Sequence, residues 1–299
     1  MSLVECVPNF SEGRDPAVIA AIRDAIASTP GAHVLDVSSD PSHHRTVITF
    51  VASLEAAVPA AFAAMKVAQE RIDLTTHQGE HPRIGATDVV PFIPLEGATM
   101  EHCVALAHEL GARAWAELGI PVYLYERAAT TPARENLADV RRGEFEGLRE
   151  DIRTNPARKP DFGANELHPT AGATAVGARP FLVAYNVYLG DATQLPVAKE
   201  VAKAIRGSSG GLRYVKGLGM EVDGQAQVSM NLHDLLEATD RGDTLHAIRE
   251  RIRAAASGRG VQIGETEVVG LLPDRALHAG GDPAALQISG GWERVVLDR

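Results

Sequence analysis

One order of elements occurs twice along this chain and closes each time on a similar β-branched run, VVPFIP at Val89–Pro94 and VVGLLP at Val268–Pro273. In the first half, Leu3 to Pro8 reads as a strand. Asp15-Pro16 then supplies an N-cap and a first-turn proline before VIAAIRDAIA, and Pro30-Gly31 ends that helix. HVLDV and TVITFVA form a strand pair around a polar turn from Ser38 to His44. An alanine-rich helix runs from Leu54 to Ile72, and Asp88 to Pro94 makes the fourth strand. A helix from Met100 to Leu118 and the strand PVYLY extend this half. In the second half FLVAYNV (Phe181–Val187) mirrors VECVPNF, and Thr193 is expected to cap LPVAKEVAKAI. GLRYVKGLGM pairs with QAQVSMNL, a helix spans Thr244 to Ala256, and Glu267 to Pro273 closes the unit.

Strand, helix, strand, strand, helix, strand is the split βαβ order. The expected fold is therefore α+β, with two tandem ferredoxin-like (βαββαβ) subdomains forming a cleft: residues 1–179, including a connecting segment, and residues 180–299. A doubly wound parallel sheet or a single barrel would not fit. Duplicated open sheets leave edges that need cover, so a homodimer through one half is expected. The connection from Ala128 to Pro180 holds an expected helix after Thr131-Pro132. The stretch DFGANELHPTAGATAVGA follows, read as a linker or as a ligand lid whose glycines allow close backbone approach. The tail after Gly280-Gly281 reads as peripheral.

A net charge of -10 makes duplex nucleic acid or an anionic membrane a poor main partner. The two cysteines, Cys6 and Cys103, lie outside any C-x-x-C pattern, as in a reducing compartment. MSLVECVPNF has neither a basic n-region nor a long apolar stretch, so neither a signal peptide nor a membrane span is expected and the cytoplasm is the expected location.

The densest chemistry lies in HQGEHPRIGATD, His77 to Asp88. His77, Glu80 and His81 spell H-x-x-E-H, which on a helix would supply two zinc ligands and a carboxylate, the signature of a zinc hydrolase. Gly79 and Pro82 oppose that helix, because proline pushes the preceding histidine toward extended geometry. A loop histidine beside Glu80 and Arg83 reads better as a general acid or base, with an ordinary pKa near ~6.5. His77 reads as peripheral. Arg45 is either a surface ion pair or a carboxylate holder, and Asn9 a turn residue or a substrate contact. His43 and His44 point opposite ways if extended, so at most one faces a cleft.

The blocks ECVPNFSEGR, LDV with RTVITFV, GEHPRIGATDVVPFIP, PVYLYE, and PDFG with GATAVGAR resemble, in order, the glutamate formimidoyltransferase family, the transferase part of formimidoyltransferase-cyclodeaminase. The resemblance implies a duplicated ferredoxin-like fold and transfer of the formimidoyl group from N-formimidoyl-L-glutamate to N5 of tetrahydrofolate, a one-carbon step of histidine breakdown. Tetrahydrofolate would be a co-substrate, with no metal. His81 in GEHPR falls on the catalytic acid/base, with Glu80 or Asp36 as the carboxylate that orients it. The folate-contacting stretch falls on Gly163, Ala164, Asn165, Glu166, Leu167, His168, Pro169, Thr170, Ala171 and Gly172. Asn9, Arg45 and Arg83 become substrate-binding candidates, with Arg179 and Lys216 as further cations for substrate carboxylates. Two positions depart from the family pattern. Ala171 stands where a tryptophan can occur, and Ser38 replaces an acidic residue, which leaves Asp36 or Asp40 to serve. No cyclodeaminase part follows, so a stand-alone transferase is expected. Formyl transfer between glutamate and folate is the near alternative, and a non-catalytic ligand-binding module the distant one.

Overall fold

The computed structural model describes residues 2–95 and 97–297. The chain divides into two compact units, Met1–Arg179 and Pro180–Arg299, of mixed α+β architecture with one sheet each.

In the first unit β1 (Leu3–Cys6) breaks at Val7-Pro8 and resumes as β2 (Asn9–Phe10). Pro8 has no N–H for the ladder, but its carbonyl still accepts from the Ile48 amide at 3.1 Å. The Asp15 carboxylate caps α1 (Pro16–Ala27) by accepting from the Ala17 and Val18 amides, and Val18, Ile22 and Ile26 form its buried stripe. β3 (Ala32–Asp40) and β4 (Arg45–Ser53) form an antiparallel hairpin. β3 runs on through Ser38 and Ser39, which pair with Val47 and Thr46, so the expected turn shrinks to residues 41–44. The buried face of α2 (Leu54–Arg71) is largely alanine, which lets it pack close. β5 (Thr87–Pro94) closes the antiparallel part of the sheet.

α3 (Met100–Arg113) leads to β6 (Val122–Glu126), followed by two helices, α4 (Leu137–Val140) and α5 (Glu144–Thr154). The helix expected directly after Pro132 is only a 3-10 turn, Pro132–Arg134. The GATAVGA part of the expected linker is a wholly buried strand, β7 (Thr174–Ala178), inserted parallel between β5 and β6. A strand covered on both faces shows no alternation, and its small residues hid it further. One face is covered by Val140 of α4 with Leu148 and Ile152 of α5, packed on Tyr123, Tyr125 and Ala175.

The second unit holds β8 (Leu182–Asp191), α6 (Leu195–Ile205), β9 (Val215–Val222), β10 (Gln225–His233), α7 (Leu235–Asp240), α8 (Leu245–Ser257), β11 (Thr266–Val269) and α9 (Asp274–His278). With β1 and β2 taken as one strand, the sheets run β3-β4-β1/β2-β5-β7-β6 and β11-β8-β10-β9. The first four strands of each unit thus share one order.

Three expectations for this unit fail. Thr193 does not cap α6: the Asp191 carboxylate accepts from the Thr193 amide at 2.9 Å, and a 3-10 turn precedes the helix. β11 ends at Val269 because Gly270, at φ +100, turns the chain away. The tail is not peripheral. Leu286 and Leu297 are buried, and the buried Arg249 donates to the carbonyls of Leu286 at 3.0 Å and Gly264 at 2.9 Å. Cys6 and Cys103 are buried free thiols. Among the described residues no helix is long and apolar enough to cross a membrane.

Candidate active site

Residues 77–81 adopt no helix, so the geometry required by the zinc reading is not there. The loop presses on the β3–β4 turn. A Cβ on Gly79 would stand 2.5 Å from the His43 carbonyl oxygen and 2.6 Å from the His44 Cβ, so only glycine fits this crossing. The Glu80 amide donates to the Ser42 carbonyl at 3.3 Å.

His77 is buried, not peripheral, and is half of a stacked imidazole pair with His44, ring centroids 4.2 Å apart and planes at 8°. Its Nε2 donates to the His44 carbonyl at 3.1 Å and its Nδ1 accepts from Arg83 Nε at 3.2 Å. Burial pushes its pKa down, in keeping with a neutral ring. The ring nitrogens of His44 face the Gln78 carbonyl at 3.0 Å and Glu12 Oε1 at 3.1 Å. Burial tends to raise the Glu12 carboxyl, but hydrogen bonds from the Asp15 and Arg14 amides, with His44 beside it, bring it below its usual range. His43 points to solvent and bonds Asp40 Oδ2 at 2.7 Å.

Arg83 does not present a free guanidinium to a substrate. Nη1 donates to Glu144 at 3.0 Å and Glu146 at 2.8 Å, and Nη2 to Glu146 at 2.7 Å and the His77 carbonyl at 3.4 Å, with Nε on His77. Every N–H is engaged, so Arg83 ties α5 to the histidine loop.

His81 has the most perturbed imidazole of the site. Its pKa is pushed from 6.5 to about 3, first by burial and then by the positive charges of Arg45 and Arg141, with His43 and His77 adding to the effect. The near-neutral value expected for a loop histidine does not hold here. Arg45 opens β4 and is itself lowered by burial and by Arg141, against the pull of Asp88 and Asp40. Arg141 caps the C-terminus of α4 and pairs with Asp88, whose carboxylate also accepts from the Ile84 amide at 2.8 Å. Burial raises the Asp88 carboxyl, and Arg141 opposes it. Asp88 is the sole acidic residue in the run DVVPFIP, and a carboxylate in an otherwise apolar strand needs a buried partner, a signal that could have led to Arg141. No motif marks Arg141 itself.

The other sequence candidates divide. Asp36 is exposed on β3, opposite Thr49 and four residues from Asp40, and does not join the groups that act on His81. Glu80 is exposed beside it. Asn9 lies on β2 between Val47 and Val89 and donates to the Val7 carbonyl at 3.0 Å.

The segment Gly163–Gly172 is a compact hydrogen-bonded loop tied to both ends of the histidine loop. The Leu74 amide donates to the Thr170 carbonyl, the Ala86 amide to Ala171, and the Ala173 amide to Ile84, each at 2.9 Å. His168 and Gly172 exchange backbone hydrogen bonds at 3.0 and 3.1 Å. Gly172 has φ +69, and a Cβ there would meet the Ile84 carbonyl oxygen at 2.2 Å, so this glycine serves internal packing. Ala171 is buried, whereas Ala164, Asn165, Glu166 and Pro169 face solvent. Glu166 pairs with Arg153 at 3.6 Å, and His168 has its pKa lowered by burial. Among the described residues no group of three or more His, Cys, Asp or Glu could hold a metal ion.

The arrangement therefore offers a neutral imidazole beside two guanidiniums, an arrangement suited to an anionic substrate that must gain and lose a proton. The chain is similar to known proteins over nearly its whole length. The description "Formiminotransferase domain, N-terminal subdomain" matches residues 3–179, and "Formiminotransferase domain" matches residues 184–283. Glutamate formimidoyltransferase of Thermoplasma acidophilum is 48% identical over 100% of this chain and 97% of its own length. That of Streptococcus pyogenes is 46% identical over 92% of this chain and 90% of its own. Formimidoyltransferase-cyclodeaminase of Mus musculus is 44% identical over 92% of this chain but 51% of its own length. The chain belongs to the formiminotransferase domain family.

Proposed function

We propose that this protein is a glutamate formimidoyltransferase that moves the formimidoyl group of N-formimidoyl-L-glutamate to N5 of tetrahydrofolate. Relatives of that name match nearly its whole length, and the observation in the chain itself that carries the reading is His81, a part-buried imidazole whose pKa is depressed by burial and by the charges of Arg45 and Arg141. Tetrahydrofolate supplies a nucleophilic secondary amine. His81, neutral in the free protein, takes the proton released at that amine and passes one to the departing glutamate nitrogen. Arg45 attracts the substrate's carboxylates, and Asn9 at the start of β2 offers a carboxamide to them. The fit of the folate rests on the solvent-facing part of Gly163–Gly172, whose hydrogen bonds to residues 74 and 84–86 hold it beside the histidine loop. Neither Glu80 nor Asp36 is needed to orient His81 in this reading; Asp88, through Arg141, is the buried carboxylate nearest that role.

The shared order of the first four strands in each sheet supports the tandem ferredoxin-like arrangement. In this reading the reaction is a step of histidine breakdown, a cytoplasmic one-carbon transfer with no metal required. A homodimer through a sheet edge remains part of the proposal, and light scattering at micromolar concentration that finds only monomer would remove it. The function is tested by pairing N-formimidoyl- and N-formyl-L-glutamate with tetrahydrofolate. Turnover confined to the formimidoyl donor is expected, whereas a preference for the formyl donor, or folate binding without turnover, would replace this reading.

A further inference from the structure

We propose that Arg141, oriented by buried Asp88, joins Arg45 in gripping the α-carboxylate of the formimidoyl donor beside His81, so that the substrate itself supplies the negative charge the site lacks. This rests on the formimidoyltransferase reading and adds to it a binding residue and the identity of the carboxylate.

The argument begins with charge. Two guanidiniums, Arg45 and Arg141, act on His81, and among the described residues the one fully buried carboxylate that acts on both is Asp88. Asp40 is engaged by the His43 ring and by the Ser42 and His43 amides. One positive charge is left without a buried counterpart, and a poorly solvated, unpaired cation is costly. Arg141 shows the same deficit at one atom. Its side chain is 15% exposed and pairs with Asp88, yet its Nε is buried with no hydrogen-bond partner among the described residues. Arg158 Nε and Arg249 Nη1 are idle in the same way, so this atom adds to the charge argument and does not replace it.

The substrate's chemistry selects the carboxylate. The α-carboxylate sits on the carbon that bears the departing nitrogen, whereas the γ-carboxylate lies two methylenes further out. If His81 is to reach that nitrogen, the carboxylate held nearest the guanidiniums beside His81 is the α group, and the γ group reaches them only by folding its two methylenes back. An anion placed there cancels the repulsion from Arg45 and Arg141 that, with burial, disfavours protonated His81; His43 and His77 also lower it. Substrate binding then raises the proton affinity of His81 when a proton must be carried.

The test uses the full chain and three donors: N-formimidoyl-L-glutamate, its α-amide and its γ-amide. The wild type should lose roughly 100-fold in kcat/KM on the α-amide and less than about tenfold on the γ-amide. Arg141→Met should lose a similar factor on the parent donor but little more on the α-amide, and Arg141→Lys should recover part of the loss. Folinate affinity and thermal unfolding report whether either variant is folded. Independently of turnover, calorimetry of L-glutamate binding near pH ~5, in buffers of different ionisation enthalpy, should show proton uptake that vanishes in His81→Ala and falls in the Arg141 variants. Discrimination between amides unchanged in both folded Arg141 variants, a larger penalty for the γ-amide, or binding without proton uptake would each overturn the inference. If the wild type transfers nothing from any donor, the proposed function fails, and binding of L-glutamate, L-isoglutamine and L-glutamine decides the carboxylate assignment alone.

Discussion

Between α2 and β5 the first unit folds His77, Glu80, His81 and Arg83 into a loop fastened on three sides. The corresponding stretch of the second unit, between α8 and β11, carries Arg259 and Glu265, and both are spent outward: Arg259 on Glu200 at 2.6 Å and Glu265 on Ser289 at 2.8 Å. The closing strands differ in the same way. β5 lies inside its sheet with β7 beyond it, whereas β11 is an edge strand whose outer neighbour is a single bridge from Ile288. Even the echoed asparagines diverge. Asn186 is held by Glu267 at 3.0 Å and by the Met230 amide at 3.1 Å, while Asn9 gives one bond to Val7. Both units hold this loop with a segment beyond the closing strand, residues 168–173 in the first and 286–289 in the second, so what separates the two copies is the side chains the loop carries and the inward contacts they make.

The widest gap between the units should appear in catalysis. His81→Ala is expected to slow transfer by ~100-fold or more with folinate affinity kept, while Gln262→Ala, in the matching loop of the second unit, should stay within about twofold. Steady-state rates for both, with circular dichroism as the fold check, decide it; equal losses would erase the contrast. Next come two glycines with positive φ. Gly172→Ala should cost ~3 kcal/mol of unfolding free energy, because its Cβ meets a carbonyl as well as a disfavoured backbone region, and Gly270→Ala only ~1 kcal/mol, since nothing lies within 4 Å of that Cβ. Urea unfolding of the two variants should rank them in that order.

A smaller effect concerns pH. Counting back from the matched asparagines, Glu5 stands where the second unit has Leu182. Glu5 is 5% exposed and its pKa is raised from 4.5 to about 7 by burial, against the pull of Arg179. Between those values the unfolded chain is ionised at this position and the folded chain is not, so stability falls as pH rises through the window. Glu5→Gln should remove that slope and gain about 3 kcal/mol on the wild type between pH 4.5 and pH 8. Denaturant midpoints across that range check it, and parallel curves would show that Glu5 titrates normally. The opposite sign holds for His81, whose depressed pKa removes stability as pH falls from 6.5 toward about 3.

Strands whose residues alternate or are β-branched could be read from the sequence, as could α1, whose Asp15 cap and proline mark its start. β7 could not, because Thr174–Ala178 is built of small residues buried on both faces and has the composition of a loop. His81 stood out through the company of His77, Glu80 and Pro82. The roles of its neighbours did not, because they depend on partners far along the chain: Arg83 looks like a substrate cation until Glu144 and Glu146 are brought to it, and Arg141 looks like a surface residue until Asp88 is. Spacing reports which residues share an element, whereas charge compensation is settled only by tertiary packing.

The insertion of β7 has a further consequence for how the polypeptide is made. β6 leaves the ribosome before β7, yet within the sheet it pairs with β7 alone, so it has no place to dock while the chain between Glu126 and Thr174 is still being synthesised. During that interval β5 offers an open edge of eight residues that includes VVPFIP, and closing the gap means threading a parallel strand between two earlier ones, a late and entropically expensive step. Nascent chains stalled before His168 carry an aggregation-prone edge and lack the 168–173 segment that fastens the histidine loop, so the unit that holds the candidate site is also the one most dependent on being finished.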